Sequence, residues 1–174
     1  MQLSELWRAA LALSLAACAA SSGDARPLPT GLERGEPFDF RLPTLEGEAV
    51  QAADFRGEVV LVDVWATWCA PCEKSFPFYA DLVDELGPKG FRVVAVSVDE
   101  RAEDVRAWVQ GRDLPFTIVH DPEGTIPERI GLRTMPSAVL LDREGRVTDA
   151  HAGFDPADAP EIERMVREAL GERV

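Results

Sequence analysis

The sequence predicts an α/β domain: a central mixed β-sheet flanked by helices on both faces. Three observations carry this expectation. Two almost continuous apolar, β-branched runs lie at 58–65 and 91–99, helix-period segments alternate with them, and two short apolar runs at 138–142 and 146–151 flank the turn Arg143-Glu144-Gly145. Uninterrupted apolar runs are strands covered on both faces, and alternation with helices is how that cover is supplied. A chain of 174 residues suits one domain with a single substantial core, and no internal repeat or second domain is visible.

Taken in order, residues 1–17 place Arg8 before an apolar stretch at 9–17. That stretch has the length of a secretory signal core and is too short to span a bilayer. Glu5 offsets Arg8, so removing this signal peptide leaves the formal side-chain charge unchanged. Leu15-Ala16-Ala17-Cys18 resembles the lipobox of bacterial lipoproteins, which implies lipidation of Cys18 as the mature N-terminus. Residues 18–35 are small, polar and rich in Pro and Gly, as a flexible tether would be, and the folded domain is expected over 36–174.

Within that domain, 37–50 alternates apolar and polar residues around Gly47, the pattern of a short hairpin at a sheet edge. The run at 58–65 follows, with Asp63 anomalous inside it, because an ionised carboxylate in a buried strand loses its hydration. After Cys69, Phe76, Tyr79, Leu82, Val83 and Leu86 recur at helical spacing until Gly87-Pro88, and Pro77 is expected to bend the helix. A second buried strand spans 91–99, and a helix over 102–110 faces inward through Val105, Trp108 and Val109. A strand at 116–120, the hairpin and an amphipathic helix carrying Ile162, Met165, Val166, Ala169 and Leu170 complete the pattern near Gly171.

Composition removes several classes of function. A formal net charge of -13 gives no basic surface with which to displace counterions, so neither nucleic acid nor an anionic membrane is an expected partner. Apart from the N-terminus, no stretch is apolar enough for a membrane span.

The chain has three cysteines, and Cys69 and Cys72 form a C-x-x-C with Ala70 and Pro71 between them. A four-ligand zinc site needs two further soft or imidazole ligands, and His120 and His151 lie far away without metal spacing. A purely structural disulfide would close so small a loop that its entropic benefit is minimal. Redox work is the better explanation. A thiol at a helix N-terminus meets unsatisfied N–H groups and the positive end of the dipole, which bring such thiols to pKa values of about 3.5–7.5.

The stretch Val59–Cys72, VVLVDVWATWCAPC, and the later stretch RIGLRTMPSAVLLDREGRV resemble thioredoxin-like proteins. Together with the extra strand and helix between them, they are similar to the TlpA/ResA-type group of exported, membrane-tethered thiol-disulfide oxidoreductases. The resemblance covers nearly everything from residue 36 onward. It implies a thioredoxin-like fold with an N-terminal β-hairpin and a central strand-helix insertion. It also implies that Cys69 attacks, that Cys72 resolves, and that no bound cofactor or metal is needed beyond the Cys69–Cys72 disulfide. Pro136 matches the family's cis-proline, with Met135 offering backbone hydrogen bonds to a bound peptide. Trp68, Ala70 and Pro71 would complete the docking surface, while Trp65, Phe76, Tyr79 and Trp108 are expected in the core. Asp63 matches the buried acid that accepts the proton of the second cysteine. Two departures are visible: the family's lysine partner for that acid falls on Ala95, and the glutamate of ResA-like members falls on Ser75.

The activity so implied is reduction of disulfides in exported proteins, apocytochrome c among them, with recharging by a membrane electron donor of the DsbD/CcdA type. The protein would be a monomer in the bacterial cell envelope, facing the periplasm and touching the membrane only through its lipid anchor. Ala19, which follows the lipidated cysteine, points to the outer membrane by the family's sorting rule. Running the same dithiol chemistry as an oxidase or isomerase is the near alternative. Ala70-Pro71 lacks the histidine typical of strong oxidants, which favours reduction. A peroxiredoxin-like peroxidase lacks its P-x-x-x-T-x-x-C motif here, and a copper chaperone of the Sco type wants one more residue between its cysteines. A non-catalytic binding lipoprotein is the remaining alternative.

Overall fold

The computed structural model describes residue 28 and residues 30–172. The expected signal peptide and Cys18 lie outside the described residues. Eleven elements follow in chain order: β1 (Arg41–Pro43), β2 (Ala49–Gln51), β3 (Val59–Trp65), α1 (Ala70–Leu86), β4 (Phe91–Ser97), α2 (Ala102–Val109), β5 (Thr117–His120), α3 (Thr125–Ile130), β6 (Ser137–Leu141), β7 (Val147–Ala152) and α4 (Ala159–Ala169). The five-stranded sheet has the order β5-β4-β3-β6-β7. β3 pairs in parallel with β4, and β4 with β5, whereas β6 runs antiparallel to both β3 and β7.

All seven residues of β3 are buried, because the central strand is covered on both sides. Leu61 and Trp65 face a cluster supplied by α1, α2 and α4, including Phe76, Tyr79, Leu82, Val105, Ile162, Met165 and Val166. Val60, Val62 and Val64 face the opposite cluster, built from Ile126 and Ile130 of α3 and from Leu32, Phe38, Phe40 and Leu42. The sheet thus has helices on both faces, three on one side and α3 with the N-terminal segment on the other. No helix among the described residues is long and apolar enough to cross a membrane.

The expected hairpin forms between β1 and β2, with Leu42 opposite Val50 and Gly47 taking φ 92 in the turn. An isolated bridge between Thr44 and Val119 holds it against β5, at the edge of the sheet. Contact with the domain begins earlier than residue 36. Leu32 is buried, the Gly31 N–H donates to the Ile130 carbonyl at 2.9 Å, and the Gly35 N–H donates to the Val147 carbonyl at 2.7 Å. Residues 30–35, read from composition as tether, therefore pack on the fold, because one leucine in a polar stretch suffices to dock it.

α3 has no counterpart in the sequence reading. Six residues with Pro127 among them are too few to show a period; the helix is started instead by Asp121, whose carboxylate accepts from the backbone of Thr125 and Ile126 at 3.1 and 2.8 Å. α1 continues as one helix of 17 residues through Pro77. The turn between β6 and β7 places Gly145 at φ 72, a left-handed backbone that glycine adopts without strain.

Candidate active site

Cys69 is the N-cap of α1, with extended backbone at φ -91 and ψ 94, and Ala70 and Pro71 open the helix. Proline is tolerated in that first turn because its missing N–H would have no intrahelical acceptor. The Cys69 sulfur takes the place of a capping oxygen, accepting from the Cys72 N–H at 3.3 Å. Sulfur in that place sits against the positive end of a helix dipole, which favours its anionic form once reduced. Cys69 and Cys72 are joined as a disulfide with a Cα–Cα distance of 5.3 Å. Cys69 keeps 6% exposure and Cys72 none, so an incoming thiol or disulfide meets Cys69 first.

Around this pair, Trp68 is 68% exposed and is the exposed large apolar side chain among the described residues; Ala70 and Pro71 are exposed beside it. The Met135–Pro136 peptide is cis. Pro136 is buried, and its carbonyl accepts from the Gly153 N–H at 2.7 Å, which ties the turn to the end of β7. Met135 is half-buried and packs against the cluster that contains both cysteines.

The loop that delivers Cys69 is held from β4. Asp99, buried just beyond that strand, accepts from the Thr67 N–H at 3.0 Å, the Thr67 hydroxyl at 2.6 Å and the Ser97 hydroxyl at 2.8 Å. Nε2 of the buried His120 lies 2.7 Å from the Asp99 carbonyl. Neither Thr67 nor Asp99 has a signal in the sequence: an acid closing the predicted strand at 91–99 is unremarkable until the fold ends that strand at Ser97 and sets Asp99 under the active-site loop.

Asp63 is wholly buried on the face of β3 covered by α1, with Ala95 of β4 and Ala138 of β6 beside it in register. Its Oδ1 accepts from the Tyr79 hydroxyl at 3.5 Å, and its Oδ2 has no partner among the described residues. Burial holds the carboxyl well above its ordinary range, and the Tyr79 hydroxyl works in the opposite direction to a lesser extent. Tyr79 is raised too, chiefly by burial and then by the Asp63 charge. Tyr79 is buried in the core as expected, but its hydroxyl makes it polar machinery as well. The signal available in the sequence was its spacing: Cys72, Ser75, Phe76 and Tyr79 form one helical stripe, and all four are buried.

Trp65 is core as expected, its ring 4.9 Å from Phe76 and 4.8 Å from Trp108 between centroids. Trp108 is only half-buried, with the Arg112 guanidinium 3.9 Å above its ring. No cluster of metal-ligating side chains occurs among the described residues.

The Redoxin family model matches residues 33–166. Thiol-disulfide oxidoreductase ResA from Bacillus thuringiensis subsp. konkukian is 34% identical over 112 residues, a match spanning 64% of this chain and 65% of that protein's length. Thioredoxin-like protein YneN from Bacillus subtilis is 36% identical over 127 residues, covering 71% of this chain and 74% of the relative. Among solved structures, a thiol:disulfide interchange protein from Chlorobium tepidum, described as DsbE, superposes with a TM-score of 0.76 at 39% identity. That alignment covers 80% of this chain and 99% of the other.

Proposed function

Because the chain belongs to the Redoxin family, as a thioredoxin-like member of the ResA type, we propose that it is an envelope thiol-disulfide oxidoreductase that reduces disulfides in exported proteins. The observation that carries this reading is the asymmetry of the cysteine pair: Cys69 caps a helix and reaches the surface, while Cys72 is buried one turn behind it. Only one of the two can open a reaction with another protein.

In the reducing direction, the Cys69 thiolate attacks one sulfur of a client disulfide. A Cys69–client bond forms, the client S–S bond breaks and one client sulfur leaves as thiolate. Cys72 then gives its proton to Asp63 and attacks the Cys69 sulfur. The Cys69–Cys72 bond closes, and the second client sulfur leaves and takes up a proton. Two electrons have passed from the dithiol to the client, and a membrane dithiol donor of the DsbD/CcdA type restores the reduced form. Asp63 suits the proton step because burial raises its affinity for a proton.

Trp68, Ala70 and Pro71 form the docking rim in this reading, an exposed aromatic beside the nucleophile being a frequent anchor at interfaces. Among the described residues, the Met135 N–H and carbonyl make no backbone hydrogen bond, which leaves them free to pair with an extended client segment before Pro136. The signal sequence and the lipidated Cys18 would hold the domain at the envelope, and apocytochrome c is the client class implied by the resemblance of the cysteine and cis-proline stretches to TlpA/ResA-type proteins.

Cys72→Ser should accumulate Cys69-linked mixed disulfides with exported proteins, and Cys69→Ser should abolish reduction of a model peptide disulfide. Equilibration of the cysteine couple against glutathione reads the direction. A couple more reducing than the glutathione pool supports the reductase, whereas one near the oxidising end of the known range, about −120 mV, overturns it in favour of oxidation.

A further inference from the structure

We propose that Tyr79 is the positioning residue that sets the ionisation of Asp63 during the resolving step, serving where the family resemblance leads one to expect charged partners at Ala95 and Ser75. The inference rests on the dithiol reading above and adds a residue to it. Ala95 lies directly beside Asp63 in register and carries no donor. On the other flank stands Ala138, equally mute. The Tyr79 hydroxyl is thus the one hydrogen-bond donor to the Asp63 carboxylate among the described residues.

Its placement follows from the helix. Side chains in α1 lean toward the N-terminus, so the Tyr79 hydroxyl comes back over the turn that holds Ser75. Ser75 is buried and donates to the Cys72 carbonyl at 2.9 Å. The polar groups of Ser75, Tyr79 and Asp63 thus lie behind Cys72 within an otherwise apolar cluster. Titratable groups on the elements around Asp63 are few: α1 brings Tyr79 and Cys72, and β4 and β6 bring alanine. α4 brings Ile162, Met165 and Val166, and β7 places His151 beyond Ala138, with its Nε2 3.4 Å from Asp158.

A phenol that donates to a carboxylate stabilises the ionised form, the form needed to take a proton from Cys72. Removing it leaves a buried carboxylate without a donor. A well-formed hydrogen bond to a charged group contributes about tenfold in an equilibrium, and at 3.5 Å this one should contribute no more than that. The inflection of the resolving step should then move to higher pH, since the base remains protonated further up the scale.

The test follows the reduced protein in stopped flow against an excess of an aromatic disulfide that releases one coloured thiolate at each step. The first release reports attack by Cys69 and the second reports resolution by Cys72. For Tyr79→Phe the first release should be unchanged, while the second slows about tenfold on the acidic side and its inflection moves upward. A carbon NMR titration of the Asp63 carboxyl should move in the same direction. Tyr79 is the single tyrosine of the chain, so biosynthetic fluorotyrosine labels that position alone. This more acidic, nearly isosteric phenol should move the inflection downward, which tests the idea without deleting the side chain. Inflections that stay with the parent in both cases overturn the role of Tyr79. If Asp63→Asn still slows the second release, the dithiol reading survives that failure. Absence of the first release from the parent protein would sink the dithiol reading itself.

Discussion

Asp63 is the residue whose surroundings conflict most with its charge. Fully buried between alanines, with one carboxylate oxygen unpartnered, it binds a proton more tightly in the folded chain than in the unfolded one. The sign of the resulting pH dependence follows from linkage. Below the unfolded carboxylate value of about 3.9 both states hold the proton and stability is unaffected; as pH rises from there to the raised folded value, stability is lost. Asp63→Asn should therefore raise Tm at neutral pH, by an amount on the order of 5 °C, and the gain should vanish in acid. A thermal melt series across pH checks this, and an Asn variant no more stable than the parent at neutral pH would refute the buried charge. At this scale Cys69, Cys72 and Asp63 were legible, because a C-x-x-C and an acid inside an apolar strand are anomalies in one dimension. Tyr79 was not, since an aromatic at helical spacing looks the same whether its hydroxyl meets a carboxylate or nothing.

At the scale of elements, the decisive junction is the loop from β3 into α1. Its geometry depends on Asp99, which gathers the Thr67 N–H, the Thr67 hydroxyl and the Ser97 hydroxyl into one buried carboxylate. Asp99→Ala leaves those donors without their acceptor, and a buried unsatisfied donor costs about 1–3 kcal/mol. The denaturant midpoint should fall accordingly, and attack by Cys69 should slow because the cap of α1 is no longer held in place. Unchanged attack kinetics in a folded Asp99→Ala protein would show that the loop needs no anchor. The strands and the long helix were readable from residue types, since two-sided burial leaves continuous apolar runs. α3 was not readable: it has six residues, and the side chain that starts it is Asp121, outside the helix.

Taken whole, the molecule carries a formal charge of -13, while its candidate site exposes the neutral Trp68, Ala70 and Pro71. Long-range charge then governs encounter more than contact, and it is screened over about 10 Å at 0.1 M salt. Reduction of a basic peptide disulfide should slow as ionic strength rises, whereas reduction of an acidic one should speed up; identical salt responses would exclude steering by net charge. The amino-acid order alone determined the chemistry, the strands and the helix that begins at the cysteines, because local spacing and side-chain type suffice for a redox pair and for periodic burial. Only the tertiary structure decided which of the two cysteines keeps some exposure, that residues 30–35 dock, that Tyr79 reaches Asp63 and that Asp99 holds Thr67. Those properties depend on which side chains from distant segments share one buried volume, and pairing across a sheet leaves no periodic trace along the chain.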